Sequence, residues 1–386
     1  MSTPDIRHLP GPDQATRVGE AGMPNRRSAA AHLLGARQFR DALAITSPPS
    51  LTIAVVVGVQ AALSLVLAAS ASWAAGHAEL ACFSALGSLA SLFGRHVAPS
   101  ERRRIIAVCG ALLVAAVMVP ATASFLQASV PVRCALIAFA AGASTLAVAQ
   151  WRLGGPGAII FTFAFAGSFA PTGSLAEIGA RALAAALGAA LAWLVCGLTD
   201  RLRLSEVRRL RLPALSARPF SHEAVAAGRI LVGAAIALAV AQASGWRYPG
   251  WAAVGALAVM QGTHLHITAS RALQRTIGTV IGVAATWIIL SNTMDYSTLI
   301  AISALFLLLT ETIVGFNYGL GQAAVTPVAL LMTYIAAPQP PTSLLAERLC
   351  ETLLGAMIGI VLAIVMSSLD DRVHLDTIRR GREPSK

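Results

Sequence analysis

Apolar runs of bilayer length, joined by short polar connections, fill this 386-residue chain after roughly its first 46 residues. That pattern constrains the fold more than any single motif. A helix needs about 20 mostly apolar residues to cross the hydrocarbon layer, and shorter runs suffice when polar ends reach the headgroups. Twelve runs qualify: Leu51 to Ser72, Ala78 to Phe93, Ile105 to Ser124, Val130 to Ala149, Gly157 to Ala170 and Leu175 to Leu198, then Val225 to Ser244, Trp251 to Gly262, Thr276 to Leu290, Thr298 to Gly315, Leu320 to Ala336 and Leu344 to Ser367. With 56% hydrophobic and 12% charged residues, the chain is too apolar for a water-soluble domain of this size. The expected class is an all-α polytopic membrane protein with 12 transmembrane helices. The runs beginning at Ala78, Gly157 and Trp251 are short and rich in glycine, which suits tilted, broken or protein-buried segments.

The net charge of +11 does not call for nucleic acid, because the arginines stand between the apolar runs rather than along one stripe. Cytoplasmic loops of membrane proteins carry the excess of Lys and Arg. Basic segments are the tail with Arg37 and Arg40, the loop with Arg95 and Arg102 to Arg104, Arg152, the stretch from Arg201 to Arg218, the Arg271/Arg275 loop and the end from Arg372 to Lys386. The alternate loops near His77, Gln127, Gly173, Asp295 and Pro340 carry no Lys or Arg, and only Arg247 breaks the alternation. Both termini are therefore expected in the cytoplasm, in an inner membrane. Residues 1–46 lack an apolar targeting core and read as a cytoplasmic tail. Within it Ala29 to Ile45 is either an amphipathic helix on the inner leaflet or a frayed helix start.

The two halves repeat. Arg103 with Gly110 seven residues later matches Arg275 with Gly282, and Arg181 with Gly188 matches Arg348 with Gly355. Arg181 and Arg348 each follow a proline, Pro171 or Pro338, by ten residues, and Trp73 mirrors Trp246. Six helices per copy is an even number, so the expected arrangement is two parallel six-helix repeats about a pseudo-two-fold axis along the membrane normal. The parts are a tail (1–46), repeat one (47–199), a basic cytoplasmic linker (200–222), repeat two (223–369) and a second tail (370–386).

Chemistry-bearing residues are few. Arg181 and Arg348 lie inside helices entering from the outer face, about 9 Å in at 1.5 Å per residue, where orientation rules do not ask for arginine. The repeat puts them at equal depth on opposite sides of the axis, and guanidinium forks suit carboxylates. Local neutralisation is the other reading, by Glu177 for Arg181 and by Glu347 and Glu351 for Arg348. Arg103 and Arg275 form a matching pair at the cytoplasmic side, from positive-inside bias or as an electropositive vestibule. Arg133 has no counterpart and snorkels outward. Glu311 lies inside the tenth run, opposite Ser144 of the first copy, and is either a proton-coupling carboxylate or the partner of a nearby arginine. His264 and His266 read as interfacial histidines, with a proton relay as the lesser reading. The five cysteines form no CxxC pair and have no histidine at ligand spacing, so they read as packing residues, with no metal or cofactor expected. Enzyme signatures such as GxxxxGK[ST], HExxH and an appropriately placed GxGxxG are missing, and no enzyme is expected.

The stretch from Tyr248-Pro-Gly-Trp through Ser270-Arg-Ala-Leu-Gln-Arg-Thr-Ile-Gly to Ile281-Gly282, with Arg348-Leu-Cys-Glu-Thr-Leu-Leu-Gly further on, resembles the fusaric acid resistance family of aromatic acid exporters. A weaker copy runs through the first half in Ala85-Leu-Gly, Arg103 to Gly110 and Arg181 to Gly188. The resemblance implies an inner-membrane efflux carrier for aromatic or related carboxylic acids working with a periplasmic adaptor protein. Larger members carry a soluble domain after each six-helix block, whereas this sequence has only the short stretch Asp200 to His222 and a short tail. Together these readings give an exporter of small organic anions, proton-coupled through Glu311, with a path along Arg181, Arg348, Arg103 and Arg275 and the option of a homo-oligomer. The rivals are a passive anion channel, which needs the arginines but no titratable group, and a non-transporting membrane scaffold.

Overall fold

The computed structural model describes residues 40, 42–210, 219–261, 265–338 and 340–366, with backbone only at 265 and 266. Most of the amphipathic stretch before Ile45, residues 211–218 of the linker, His264 and the tail at 370–386 lie outside the described residues, as does the His266 side chain. The elements are helical: α1 (Leu51–Ala74), α2 (Ala81–Ser88) with 3-10 turns Ala78–Leu80 and Leu89–Leu92 at its ends, α3 (Pro99–Phe125), α4 (Val130–Gln150), α5 (Ala158–Gly167), α6 (Leu175–Thr199), α7 (Arg201–Arg209), α8 (Phe220–Ala243), α9 (Gly250–Met260), α10 (Leu265–Leu290), α11 (Tyr296–Ile313), α12 (Tyr318–Ala336) and α13 (Pro341–Val365). Side chains fix several starts. Ser50, Ser174, Asp295 and Asn317 accept backbone N–H bonds from the first turns of α1, α6, α11 and α12, which satisfies donors that a helix start leaves open.

Among the described residues nine helices are long and apolar enough to cross a membrane, namely α1, α3, α4, α6, α8, α10, α11, α12 and α13. The protein is thus an all-α, multi-pass membrane protein. Large apolar side chains such as Leu63, Leu183 and Val361 face outward, as a lipid-solvated surface requires. The three shorter apolar helices, α2, α5 and α9, are the glycine-rich runs. In α9 every residue but Met260 is buried, so this helix is solvated by protein rather than lipid.

Two helices begin earlier than hydropathy indicates. Apolar windows stop at a charge, but helices do not: α3 starts at Pro99 and α10 at Leu265. Arg102 to Arg104 and Arg271 with Arg275 are therefore helical rather than loop residues. The linker also contains a helix, α7, packed on α1.

Within the first half α1 packs on α2 and α6, α2 on α6, α3 on α5 and α6, and α4 on α5. Within the second half α8 packs on α9 and α13, α9 on α13, α10 on α12 and α13, and α11 on α12. The halves join where α1 meets α11, α8 meets α4, α5 meets α9 and α2 meets α12. Glycines set the tightest crossings. A Cβ on Gly188 of α6 would stand 1.9 Å from the Ser84 carbonyl oxygen of α2, and one on Gly87 the same distance from that of Ala185. On the other side a Cβ on Gly355 of α13 would stand 2.4 Å from the Ala252 oxygen of α9 and 2.8 Å from Gly255 Cα. Small residues let backbones approach in this way where no hydrophobic force between helices helps.

A buried charge cluster ties the first half together at the end where α3 begins. Asp200 accepts from Arg102 and from Arg203, each at 2.7 Å. Arg102 also donates to the Ser91 and Phe93 carbonyls, and Arg203 to those of Arg95 and Val97. Burial and the charges of Arg95 and Arg203 hold the nearby His96 imidazole below its ordinary pKa, since both disfavour a second positive charge.

Candidate functional site

Residues seven apart on a helix share a face, so the arginine two turns before each crossing glycine points at the same short helix. Arg181 of α6 lies over the Phe83 ring of α2 at 5.1 Å, and Arg348 of α13 lies over the Trp251 ring of α9 at 4.8 Å. In both cases the aromatic residue directly precedes the residue whose carbonyl meets the glycine, Ser84 or Ala252. Such cation–π contacts strengthen when water is excluded.

Beyond the ring the two arginines differ. Arg181 is saturated by its own half: it donates to the Ala170 carbonyl at 3.2 Å, the Pro171 carbonyl at 2.6 Å and the Thr172 hydroxyl at 2.6 Å, and Glu177 lies 3.7 Å away. Pro171, Thr172 and Glu177 form one wall of a polar cleft of about 480 Å³ that Ser124, Gln127 and Arg133 also line. Arg133 is held by the Ala128 carbonyl at 2.8 Å.

Arg348 is 3% exposed, yet its Nε and Nη1 meet no hydrogen-bond partner among the described residues. One turn on, Glu351 is fully buried with both carboxylate oxygens unpartnered, and the Thr352 hydroxyl beside it is equally bare. The Tyr248 backbone N–H lies close enough to act on the Glu351 carboxylate. Arg275 of α10 is close enough for its charge to act on Arg348. It donates to the Tyr318 hydroxyl at 3.3 Å and to Gln322 Oε1 at 3.2 Å, while its Nε has no partner. Tyr248 stacks on Trp251 with ring centroids 4.9 Å apart, and Phe163 and Tyr334 complete the aromatic wall. Native interiors rarely leave buried polar atoms unpaired, and several in one place mark a site for something else.

The expected residues thus separate. Arg275 is buried inside α10 and lies near Arg348, because the helix continues through it. Arg103 is exposed on α3, near Gly197 of α6, while its neighbour Arg102 points inward. All hydrogen-bond and ring partners of Arg181 belong to the first half, and the groups around Arg348 belong to the second, so the pair expected to face across the axis is instead two separate sites. Glu311 is buried and ion-paired with Arg95 of the first half, and Ser144 bonds the Ala140 carbonyl at 2.6 Å. Phe83, Trp251 and Gln322 escaped the sequence reading. An aromatic residue four before a glycine, Phe83 to Gly87 and Trp251 to Gly255, is the signal that would have found the first two.

No curated protein and no solved structure matches the chain. Residues 235–362 match the family described as fusaric acid resistance protein-like. That segment contains Trp251, Arg275, Arg348 and Glu351, so the unsaturated arginine site lies within the stretch that is similar to fusaric acid resistance protein-like domains.

Proposed function

We propose that the chain is an inner-membrane exporter of small organic anions, with aromatic carboxylates as its preferred class, and that it binds them at Arg348. One observation carries the reading: a 3%-exposed guanidinium with two unpartnered nitrogens, set over an indole ring at 4.8 Å. A carboxylate accepts from the free guanidinium donors, and an aryl group meets the Trp251 and Tyr248 rings. Arg275 supplies a second positive charge, which compensates the desolvation of an anion at this depth. Residence in a fusaric acid resistance protein-like segment agrees with this substrate class.

The architecture we propose around it is two six-helix repeats, α1–α6 and α8–α13, running in parallel, with α2, α5 and α9 completing their crossings through the flanking turns. The matching neighbour sets, the two glycine crossings and the reciprocal α1–α11 and α8–α4 contacts support that reading. Both termini then face the cytoplasm by the loop charges, and a periplasmic adaptor is the expected partner.

A passive anion channel is the second reading, and the Glu311–Arg95 pair favours it, because an ion-paired Glu311 no longer distinguishes a carrier. Purified protein in vesicles loaded with labelled benzoate tests both. We expect saturable efflux that is accelerated by unlabelled benzoate outside and lost in Arg348→Gln. Efflux without saturation or countertransport assigns the channel, and wild-type efflux in Arg348→Gln rejects the site.

A further inference from the structure

We propose that Glu351 is the proton-binding group of the Arg348 site, and that an organic anion and a proton occupy this site together. The inference rests on the anion-binding reading above and adds a linkage between anion and proton binding. Glu351 has no exposure, no hydrogen-bond partner on either oxygen and no ion pair within 4.0 Å among the described residues, although Arg348 is one helical turn away. Aligning Arg181 and Gly188 with Arg348 and Gly355 puts Ala184 of α6 at the position of Glu351, so the glycine crossing itself needs no carboxylate there.

A buried carboxylate is tolerated when it is paired with a cation or when it is protonated. Unpaired, Glu351 of the empty site keeps its proton until the pH is high enough to remove it, and Arg348 is then the nearest cation. An incoming carboxylate takes the free donors of Arg348 and brings a second negative charge beside Glu351, and like charges at short range favour protonation of one of them. A proton then moves from water to a Glu351 oxygen, and no other bond changes. The two cations Arg275 and Arg348 and the carboxylate Glu351 keep the same summed charge once the anion and the proton have both entered.

The surroundings leave this linkage intact. On its own helix Glu351 has Glu347 and Arg348 as ionisable neighbours, and Glu347 adds to the repulsion. The connection into α9 brings Arg247 and Tyr248, and α9 itself has no ionisable residue. From α10 comes Arg275, with Tyr318 of α12 behind it. On α8, the other neighbour of α13, the ionisable residues His222, Glu223 and Arg229 are confined to the first three turns. Linkage is reciprocal, so acid must tighten anion binding as much as the anion promotes protonation.

Calorimetric titration of the full chain with benzoate, from pH 5.5 to 9 in buffers of different ionisation enthalpy, measures both quantities, with benzoate ionised throughout. We expect proton uptake to rise toward the alkaline end of this range, with affinity there strengthening on acidification by up to about tenfold per pH unit. Glu351→Gln should bind with pH-independent affinity and without proton uptake. Glu351→Ala, which copies the first half, serves as the second variant, and the wild-type proton count is decisive without either. Binding without proton uptake, or uptake that persists in both variants, overturns the role of Glu351 while leaving the anion site standing. No benzoate binding at any pH overturns both.

Discussion

The Arg181 and Arg348 environments start from one local design and end in opposite electrostatic states. Each arginine stands two turns before a glycine that presses its helix against a short helix, and each covers an aromatic ring on that short helix. In the first half two backbone carbonyls and a threonine hydroxyl then complete the guanidinium. In the second half Arg348 Nε and Nη1 are bare among the described residues, with a buried carboxylate alongside. A saturated buried cation stabilises its surroundings, whereas an unsaturated one holds binding free energy in reserve for a ligand. The difference divides the molecule into a structural half-site and a binding half-site.

The sharpest break in that contrast would come from replacing Arg181. Arg181→Gln strands several acceptors and should destabilise the protein by about 3–5 kcal/mol, seen as a lower melting temperature in detergent, with benzoate affinity changed less than about twofold. Arg348→Gln should do the reverse. Its benzoate affinity should fall about a hundredfold, roughly 2.7 kcal/mol, and its melting temperature without ligand should not fall, because an uncompensated buried charge has been removed. If both variants lose affinity equally, the two sites act together and the division fails.

The shared part of the design can be tested at the glycines. Gly188→Ala and Gly355→Ala both drive a Cβ into backbone, so each should cost about 1–3 kcal/mol or more in thermal stability. The first should cost more, since its Cβ meets an oxygen at 1.9 Å rather than 2.4 Å. The smallest effect belongs to the ring. Trp251→Phe keeps an aromatic face with a weaker quadrupole and should reduce benzoate affinity only a few-fold, by about 0.5–1 kcal/mol, whereas Phe83→Leu should leave that affinity unchanged.

Much of the fold was legible because bilayer length and loop charge act over long stretches. All twelve apolar runs coincide with helices, α2 to α6 and α8 to α13 following α1 in the expected order. Arg348 was also legible, since a charge deep in an apolar run needs a reason. Its company was not. Hydropathy ended α10 at its charges and so put Arg275 in a loop, and helix spacing made Glu351 a local neutraliser of Arg348 although the two form no ion pair. For Glu311 an arginine partner was one of two readings, but its identity was hidden, since Arg95 is 216 residues earlier. Pairings across that separation depend on which helices pack together, and periodicity does not encode that.

The division between the two half-sites is tested most directly by locating a bound anion. Crystals of the purified protein soaked with 4-bromobenzoate would show the bromine by anomalous scattering. A peak is expected against the Trp251 and Tyr248 rings, with the carboxylate on the Arg348 guanidinium. A peak confined to the cleft beside Arg181, or none near Arg348 at saturating ligand, would contradict the division.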